Sequence, residues 1–400
     1  MTGAIIIIFC TLLLLAYVFD LTAAKTRIPS VLLLLVMGWS LRQLTNFLEL
    51  DLPNFNAVLP VFGTVGLILI VLEGALELEL NKSKLPLLKR SFLGAFFPLM
   101  AISMLLALSF WYIGGFNFKD SLTNAIPLAV ISSAIAIPTA RNLSRDNREF
   151  VVYESSLSDI LGVLFFNFIA LNEVIGAAAF GSLFVELIGM AVVSFVATIV
   201  LAFLLSRIDH HIKFIPIILL VVLIYTVAKE FHLPALILIM IFGLFLGNLD
   251  ELKHIRFINR LRPEVLNAEA QRFKKLTGEA TFLVRSLFFI LFGFLIETSE
   301  LINTDNILWS GITVALIYLI RFVQLKASNM RLRHLLFIAP RGLITILLYL
   351  SILPADRIPL VNKPVIIQVI VLSSILMMPG VISKGEQISK AGLEEVRKRL

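Results

Sequence analysis

The sequence predicts an all-α polytopic membrane protein with about 13 transmembrane helices in two inverted-topology six-helix repeats. Three observations support this fold class. The 400-residue chain is 59% hydrophobic and only 15% charged, whereas a soluble domain has about 25% charged residues. The apolar residues gather in runs long enough to cross roughly 30 Å of hydrocarbon as helices. Similar runs also recur in the same order in the two halves of the chain.

The apolar runs define the predicted spans. The first run lacks the basic stretch and the small-residue cleavage site of a signal peptide, so we expect it to be retained. It contains Cys10, the single cysteine, and an internal disulfide is therefore excluded. Spans one to thirteen are predicted at about 4–19, 28–44, 57–76, 91–114, 121–140, 151–172, 181–206, 213–229, 233–248, 279–297, 307–327, 332–353 and 363–383.

The connections between these runs alternate in charge. Lys25 and Arg27 follow the first span, for example, and Glu49 and Asp51 follow the second. By the positive-inside rule we expect the N-terminus outside and the C-terminus in the cytoplasm, in the plasma membrane of a prokaryote. Basic cytoplasmic connections also account for the net charge of +7, so no nucleic-acid partner is predicted.

Spans one to six resemble spans eight to thirteen. The segment from Pro29 to Gly38 in span two has the same length as the segment from Pro234 to Gly243 in span nine. An offset of seven spans turns the second copy upside down, as in the inverted repeats of secondary transporters.

Spans five and twelve, which this repeat pairs, are both interrupted by proline. Pro138 interrupts span five, and Pro340-Arg341-Gly342 interrupts span twelve. A proline frees a backbone carbonyl, which a membrane tolerates only where the break lines a cavity. Paired breaks therefore predict a midplane binding site. The alternative is that each is an ordinary kinked helix.

Two stretches are more polar than the spans. Glu251–Thr277 is basic with interspersed apolar residues, which is typical of an interfacial cytoplasmic helix or a gate. Residues 385–400 are expected to form a short cytoplasmic tail. We find no phosphate-binding loop, zinc-ligand set or nucleic-acid motif, and we predict no cofactor.

Asp159 is the strongest candidate for a functional residue. If span six begins near Phe150 at the cytoplasmic face, Asp159 lies roughly 13 Å into the membrane at 1.5 Å per residue. Ser155 lies one turn earlier on the same helix face, and Ser158 is adjacent. Carboxylate and hydroxyl oxygens suit an alkali cation. The alternative is a structural aspartate that pairs with an arginine.

Four further charged residues lie within apolar runs. Glu154 and Arg341 are predicted at similar depths, so we expect a buried structural ion pair between them. Glu73 either joins the ion path or begins a polar cap. Arg285 either counters the charge of Asp159 or extends to the cytoplasmic face. We assign Arg321, like Trp39 and Asn167, to packing or to the membrane interface.

These residues together resemble the monovalent cation/proton antiporter superfamily, the sodium/proton exchangers, over nearly all of the spans. The motifs are residues 154–159, similar to the family's Glu-Ser-x-x-Asn-Asp signature, and 339–343, similar to its Arg-Gly motif in span twelve. The segments at 72–74 and 28–38 add to them.

The resemblance implies a homodimer that exchanges a cation for a proton at Asp159 by an elevator-like movement. Two crossed broken helices would lie in a mobile core of about 91–172 and 307–384. The dimerisation part would comprise about 1–76 and 213–297, with a linker helix at about 181–206. The transporter domain would then span 1–384.

Two departures from the family pattern bear on the site. Ser158 replaces the Asn or Asp of the signature, and one fewer carboxylate suggests electroneutral exchange. The family's Thr-Asp-Pro in span five appears here as Ile135-Ala136-Ile137-Pro138, without the acid and without the Thr ligand, so Thr139 or main-chain carbonyls near Ile135 would have to substitute. The expected cation is Na⁺, with K⁺ or Li⁺ as alternatives.

Other classes of function were considered. An intramembrane enzyme would need paired acids or a nucleophile with a base, so we predict no enzymatic activity. A potassium efflux channel or ligand-gated antiporter-like protein would share the fold but needs a sensing domain. An organic-anion symporter on the same fold is a further alternative, because Arg341 and Arg285 could bind a carboxylate.

Overall fold

The fold is all-helical in the part of the chain that the structure describes. The structure is a computed structural model, and it describes residues 2–26, 28–49, 58–140, 143–172, 177–207, 214–230, 235–252, 263–328, 330 and 335–382. Regular secondary structure within these ranges consists of helices alone.

The helices are numbered here in chain order. Short 3₁₀ turns lie at Lys82–Lys84 and Pro354–Asp356. The α-helices are α1 Thr2–Thr26, α2 Ser30–Phe47, α3 Val58–Glu77, α4 Leu85–Gly114, α5 Phe118–Ala129, α6 Ser133–Thr139, α7 Arg145–Leu171, α8 Ala177–Arg207, α9 Phe214–Glu230, α10 Leu236–Gly247, α11 Leu249–Leu252, α12 Pro263–Phe294, α13 Thr298–Leu301, α14 Thr304–Ala327, α15 Leu343–Ser351 and α16 Lys363–Ile382.

A helix lies at each of the predicted span positions. By length and composition, 8 helices of the described residues are able to cross a membrane. Large apolar side chains such as Val192 and Val196 on α8 are exposed, which is favourable only against lipid. The chain is therefore an integral membrane protein. The number of 13 spans stays a prediction.

The inverted repeat is visible in how the helices cross. A side chain at Gly38 would clash with the backbone of α12, and one at Gly293 would clash with the backbone at Leu35 on α2. At Gly243 on α10, a Cβ atom would lie 2.6 Å from the Cβ of Ala75 on α3. The glycines at equivalent positions of spans two and nine thus have the same role, which is to let two helices approach closely.

Two broken helices cross near the centre of the protein. In span five, α5 ends at Ala129 and α6 begins at Ser133, with an extended link at 130–132. In span twelve, an extended segment at 338–342 precedes α15. The amide of Ser132 donates a hydrogen bond to the carbonyl oxygen of Pro340 at 2.9 Å, so the two extended segments meet backbone to backbone.

The predicted position of the break in span five is wrong. Pro138 lies inside α6, and the helix is interrupted at 130–132 instead. A proline removes one amide donor and so leaves one carbonyl free, here that of Ala134. Near the end of a short helix, the loss of this single hydrogen bond need not break the helix. The break is stabilised by the hydrogen bond to Pro340, which sequence periodicity does not reveal.

The polar segment Glu251–Thr277 is only partly an independent element. Residues 253–262 lie outside the described part, as do 383–400 with the predicted tail. From Pro263 onward the chain belongs to α12, which is continuous with span ten. Phe273 on this helix is buried and contacts the rings of Phe242 and Phe214. One face of this half therefore packs against the protein, while Arg272 and Lys275 on the other face are exposed. Its predicted role as an interfacial helix or a gate stays a prediction.

Candidate functional site

Asp159 is buried on α7 and faces the first residue of α6. Asp159 is only 1% exposed. The carboxylate oxygen Oδ2 accepts hydrogen bonds from the Ser133 hydroxyl and from the Ser133 amide, the latter at 3.3 Å. The other oxygen, Oδ1, has no hydrogen-bond partner among the described residues. One oxygen is thus fixed by α6, and the other remains available for a ligand.

The break in span five is what places Ser133 beside Asp159. The first amides of a helix have no partner within the helix, so they bind a nearby acceptor. Here the acceptor is the carboxylate of Asp159 on the neighbouring helix. Ser133 was missed in the sequence because the break was assigned to Pro138. Hydroxyl residues next to a break were the available signal.

Ser158 supports the broken segment instead of facing Asp159. Its hydroxyl oxygen accepts a hydrogen bond from the amide of Ile131 at 3.0 Å. Ile131 lies in the extended link, where its amide has no helical partner. The serine at position 158 therefore supplies the acceptor that this buried amide needs.

The hydroxyls of Ser155 and Thr139 are bonded to their own helices. Ser155 donates to the carbonyl oxygen of Val151 at 2.7 Å, and Thr139 donates to that of Ile135 at 2.7 Å. Their oxygen lone pairs stay available to a cation, because a hydroxyl donates one bond and accepts up to two. Ser155 is fully buried, whereas Thr139 is partly exposed.

A cavity of about 470 Å³ leads to this site. Ser133, Ala134 and Pro138 of α6 line its inner end, and α1, α3 and α12 form its walls. The charged side chains lining it are Asp20, Glu73, Glu77, Lys275, Glu279 and Arg285. Carboxylates outnumber basic groups in this lining, which favours the entry of a cation.

Glu154 is paired with Arg321, and the predicted pair with Arg341 is wrong. An Arg321 nitrogen forms an ion pair with Glu154, and both side chains are 2% exposed. Gln324 on the same helix donates a further hydrogen bond of 2.9 Å to Glu154. Equal depth in the membrane was the basis of the prediction, but depth says nothing of lateral position. The break in span twelve turns Arg341 toward α5 instead.

Arg341 holds the ends of the two broken helices. Its guanidinium donates to the carbonyl oxygens of Leu128 at 2.7 Å and Ala339 at 2.8 Å, and its amide donates to the Ser373 hydroxyl at 3.1 Å. In a continuous helix the Leu128 carbonyl would accept from Ser132, whose amide bonds Pro340 instead. Arg341 therefore replaces a hydrogen bond that the break removed, and its charge suits the C-terminal end of α5.

Arg285 lies between α6 and α1. It donates to the Ala134 carbonyl at 3.4 Å, and one of its nitrogens is 3.8 Å from Asp20. The Ala134 carbonyl is the one that Pro138 leaves free. The two predicted roles of Arg285, as a counter-charge to Asp159 or as a side chain that extends to the cytoplasmic face, stay predictions.

Comparison with known proteins identifies the family. A family model described as "Sodium/hydrogen exchanger, transmembrane" matches residues 9–383. The chain belongs to the sodium/hydrogen exchanger family. This protein, hereafter the exchanger, is thus a member of a family of cation/proton antiporters. Among curated protein sequences, none matches the exchanger.

Solved structures show the same fold. The sodium proton antiporter MjNhaP1 from Methanocaldococcus jannaschii at pH 8 is 19% identical, with a TM-score of 0.68 over 93% of the exchanger and 98% of that chain. An electron-microscopy structure of MjNhaP1 is 17% identical, with a TM-score of 0.69 over 100% of the exchanger and 99% of that chain. At these identities the likeness supports the fold alone.

The exchanger brings some of the predicted site residues together and separates others. Asp159, Ser155 and Ser158 lie on one helix beside the break, Glu73 lines the cavity, and Thr139 is the last residue of α6. Glu154 and Arg341 belong to two separate contacts. Within the described residues, no group of three His, Cys, Asp or Glu side chains is placed to hold a metal ion.

Proposed function

We propose that the exchanger carries one monovalent cation, preferably Na⁺, in exchange for one proton at Asp159. The observation that supports this most directly is the Asp159 carboxylate at the crossing of the broken helices, with Oδ1 unpartnered and Oδ2 held by Ser133. A single buried carboxylate can bind a proton or a cation, and binding one displaces the other.

Coupling follows from the charge of the site. With a proton or a monovalent cation bound, the Asp159 carboxylate is neutralised, and its movement through the membrane carries no net charge. Without either ligand, a buried carboxylate is uncompensated, which costs several kcal/mol in a low-dielectric environment. The empty site therefore moves rarely, and the two fluxes are coupled.

Electroneutral exchange is supported by the groups around Asp159. Ser133 and Ser158 are uncharged, and Arg341 is bound to backbone carbonyls. Asp159 is thus the residue of the crossing whose charge changes in each cycle, which predicts one proton for one cation. We assign Asp159 Oδ1 and the Ser155 and Ser133 hydroxyls as cation ligands. Glu73 lines the cavity that forms the entry path.

The alternating movement is proposed to occur between a core and a dimerisation part of a homodimer. Within the core, Glu154–Arg321 joins α7 to α14, and Arg341 joins span twelve to α5. The cavity separates α6 of the core from α3 and α12 of the dimerisation part. With the N-terminus outside, Glu77 and Glu279 lie at its cytoplasmic end, so this conformation faces inward.

The test of this function is flux in proteoliposomes loaded with a pH-sensitive dye. We expect an imposed Na⁺ gradient to produce a saturable pH change, at the same rate with the membrane potential clamped or free. A channel would instead produce a net current without proton flux, and an organic-anion symporter would need an added substrate. A rate that depends on the clamped potential would contradict electroneutral exchange.

A further inference from the structure

An apolar groove runs along the outer surface between α14 and α16, away from the ion site. Its volume is about 490 Å³. Its residues from α14 follow one helical stripe, and those from α16 are one turn apart. Those from α14 include Gly311, Tyr318 and Phe322, those from α16 are Leu372 and Leu376, and Phe337 precedes the extended segment of span twelve.

The described residues that line the groove are almost all apolar. The one side-chain hydroxyl among them is that of Tyr318, which donates to the carbonyl oxygens of Ser373 at 3.1 Å and Phe337 at 3.4 Å. Phe322, Leu372 and Leu376 remain between 36% and 39% exposed. In an integral membrane protein, a groove of this kind faces hydrocarbon. A flexible apolar chain is thus the ligand that its walls suit.

One end of the groove carries a positive charge. Lys326 continues the stripe of Gly311, Tyr318 and Phe322 by one further turn, and its ammonium lies 6.0 Å from the centre of the Phe322 ring. No carboxylate among the described residues pairs with Lys326.

The groove follows α14 from Gly311 to Phe322, a rise of roughly 16 Å at 1.5 Å per residue. Lys326 lies one turn beyond Phe322, so a chain that fills the groove from this end has its head group beside Lys326. We propose that this groove binds one acyl chain of an anionic phospholipid, whose phosphate pairs with Lys326.

Gly311 offers a direct test of this site. A Cβ atom at Gly311 would meet no other atom within 4 Å, so a leucine there fills the groove without disturbing the fold. Gly189 on α8 is equally open and exposed, and Gly189→Leu is the matched control. For the charge, Lys326→Gln is compared with Lys89→Gln, since Lys89 is an exposed lysine on α4.

The measurement is native mass spectrometry of the full chain with phosphatidylglycerol or phosphatidylcholine of the same acyl composition. We expect the protein to retain phosphatidylglycerol about fivefold better than phosphatidylcholine. This factor corresponds to about 1 kcal/mol of attraction between one basic residue and an anionic lipid. Gly311→Leu should lower retention of both lipids, and Lys326→Gln should remove the preference. Neither control should change these values.

Two results would overturn the proposal. The first is a Gly311→Leu protein that retains lipid like the unchanged chain. If the ratio of monomer to dimer in that protein is altered as well, a second copy covers the groove. The second is a preference for phosphatidylglycerol that survives in Lys326→Gln.

Discussion

Glu154 and Arg321 form a buried ion pair that joins α7 to α14. Gln324 donates to the same carboxylate, and Arg321 also donates to the Leu335 carbonyl at 3.2 Å. The pair therefore connects the helix that carries Asp159 to the segment before the second broken helix. It leaves Arg341 available to the backbone of the crossing.

Removing one partner of this pair should destabilise the exchanger strongly. Glu154→Gln or Arg321→Gln leaves one buried charge uncompensated, and we expect a loss of about 3–5 kcal/mol. The double variant should lose less than the sum of the two single losses. Unfolding of the purified protein in detergent measures all three.

The matched control is the exposed pair of Arg42 and Glu297, whose side chains are 27% and 57% exposed. Its single variants should lose about 1 kcal/mol or less. Additive losses for Glu154 and Arg321 would contradict the structural role assigned to the pair.

Ser158 should be needed as a hydrogen-bond acceptor more than as a cation ligand. Ser158→Ala leaves the buried amide of Ile131 without a partner, which should cost about 1–3 kcal/mol of stability. Ser158→Asn keeps an acceptor and should retain both stability and exchange. Unfolding and flux measurements test the two variants.

Ser194→Ala is the control for this experiment, because the Ser194 hydroxyl is buried but has no partner among the described residues. We expect little change in that protein. If Ser158→Ala is as stable as Ser194→Ala, the hydrogen bond from the Ile131 amide to Ser158 does not stabilise the protein.

Lys84 should make stability depend on alkaline pH. Burial lowers the pKa of its ammonium, but hydrogen bonds and attraction from Glu79 and Glu149 outweigh this effect and raise the pKa above 10.5. Because the folded-state pKa is the higher one, the stabilisation is complete below the unfolded pKa. It is lost as the pH rises through the folded-state value.

We therefore expect Lys84→Gln to be less stable than the unchanged protein at pH 8 to 9, with the difference shrinking above about pH 10.5. Thermal unfolding across this range measures the effect. Lys89→Gln serves as the control. A constant difference between the Lys84 variant and the unchanged protein at every pH would refute the assignment.

The helix positions were predictable because a membrane imposes apolar runs of a set length. Asp159 was predictable for a related reason, since a carboxylate inside such a run is costly and needs a function. The partner of Glu154 was not predictable, because hydropathy gives the depth of a residue and not its neighbours. Arg321 was assigned to packing for the same reason.

The break of span five shows a second limit. Pro138 was the visible signal, yet the helix is interrupted where Ser132 can bond Pro340 of the other broken helix. A contact between segments about two hundred residues apart leaves no local pattern. Ser133 was consequently overlooked, although it is the residue that holds Asp159.

The central claim is that Asp159 carries both the proton and the cation. Replacing it with asparagine keeps the shape and the hydrogen bond from Ser133 but removes the charge. In proteoliposomes, we predict that Asp159→Asn folds normally and loses cation-dependent proton flux, while Glu230→Gln, an exposed carboxylate on α9, keeps it. Full flux in Asp159→Asn would contradict the account.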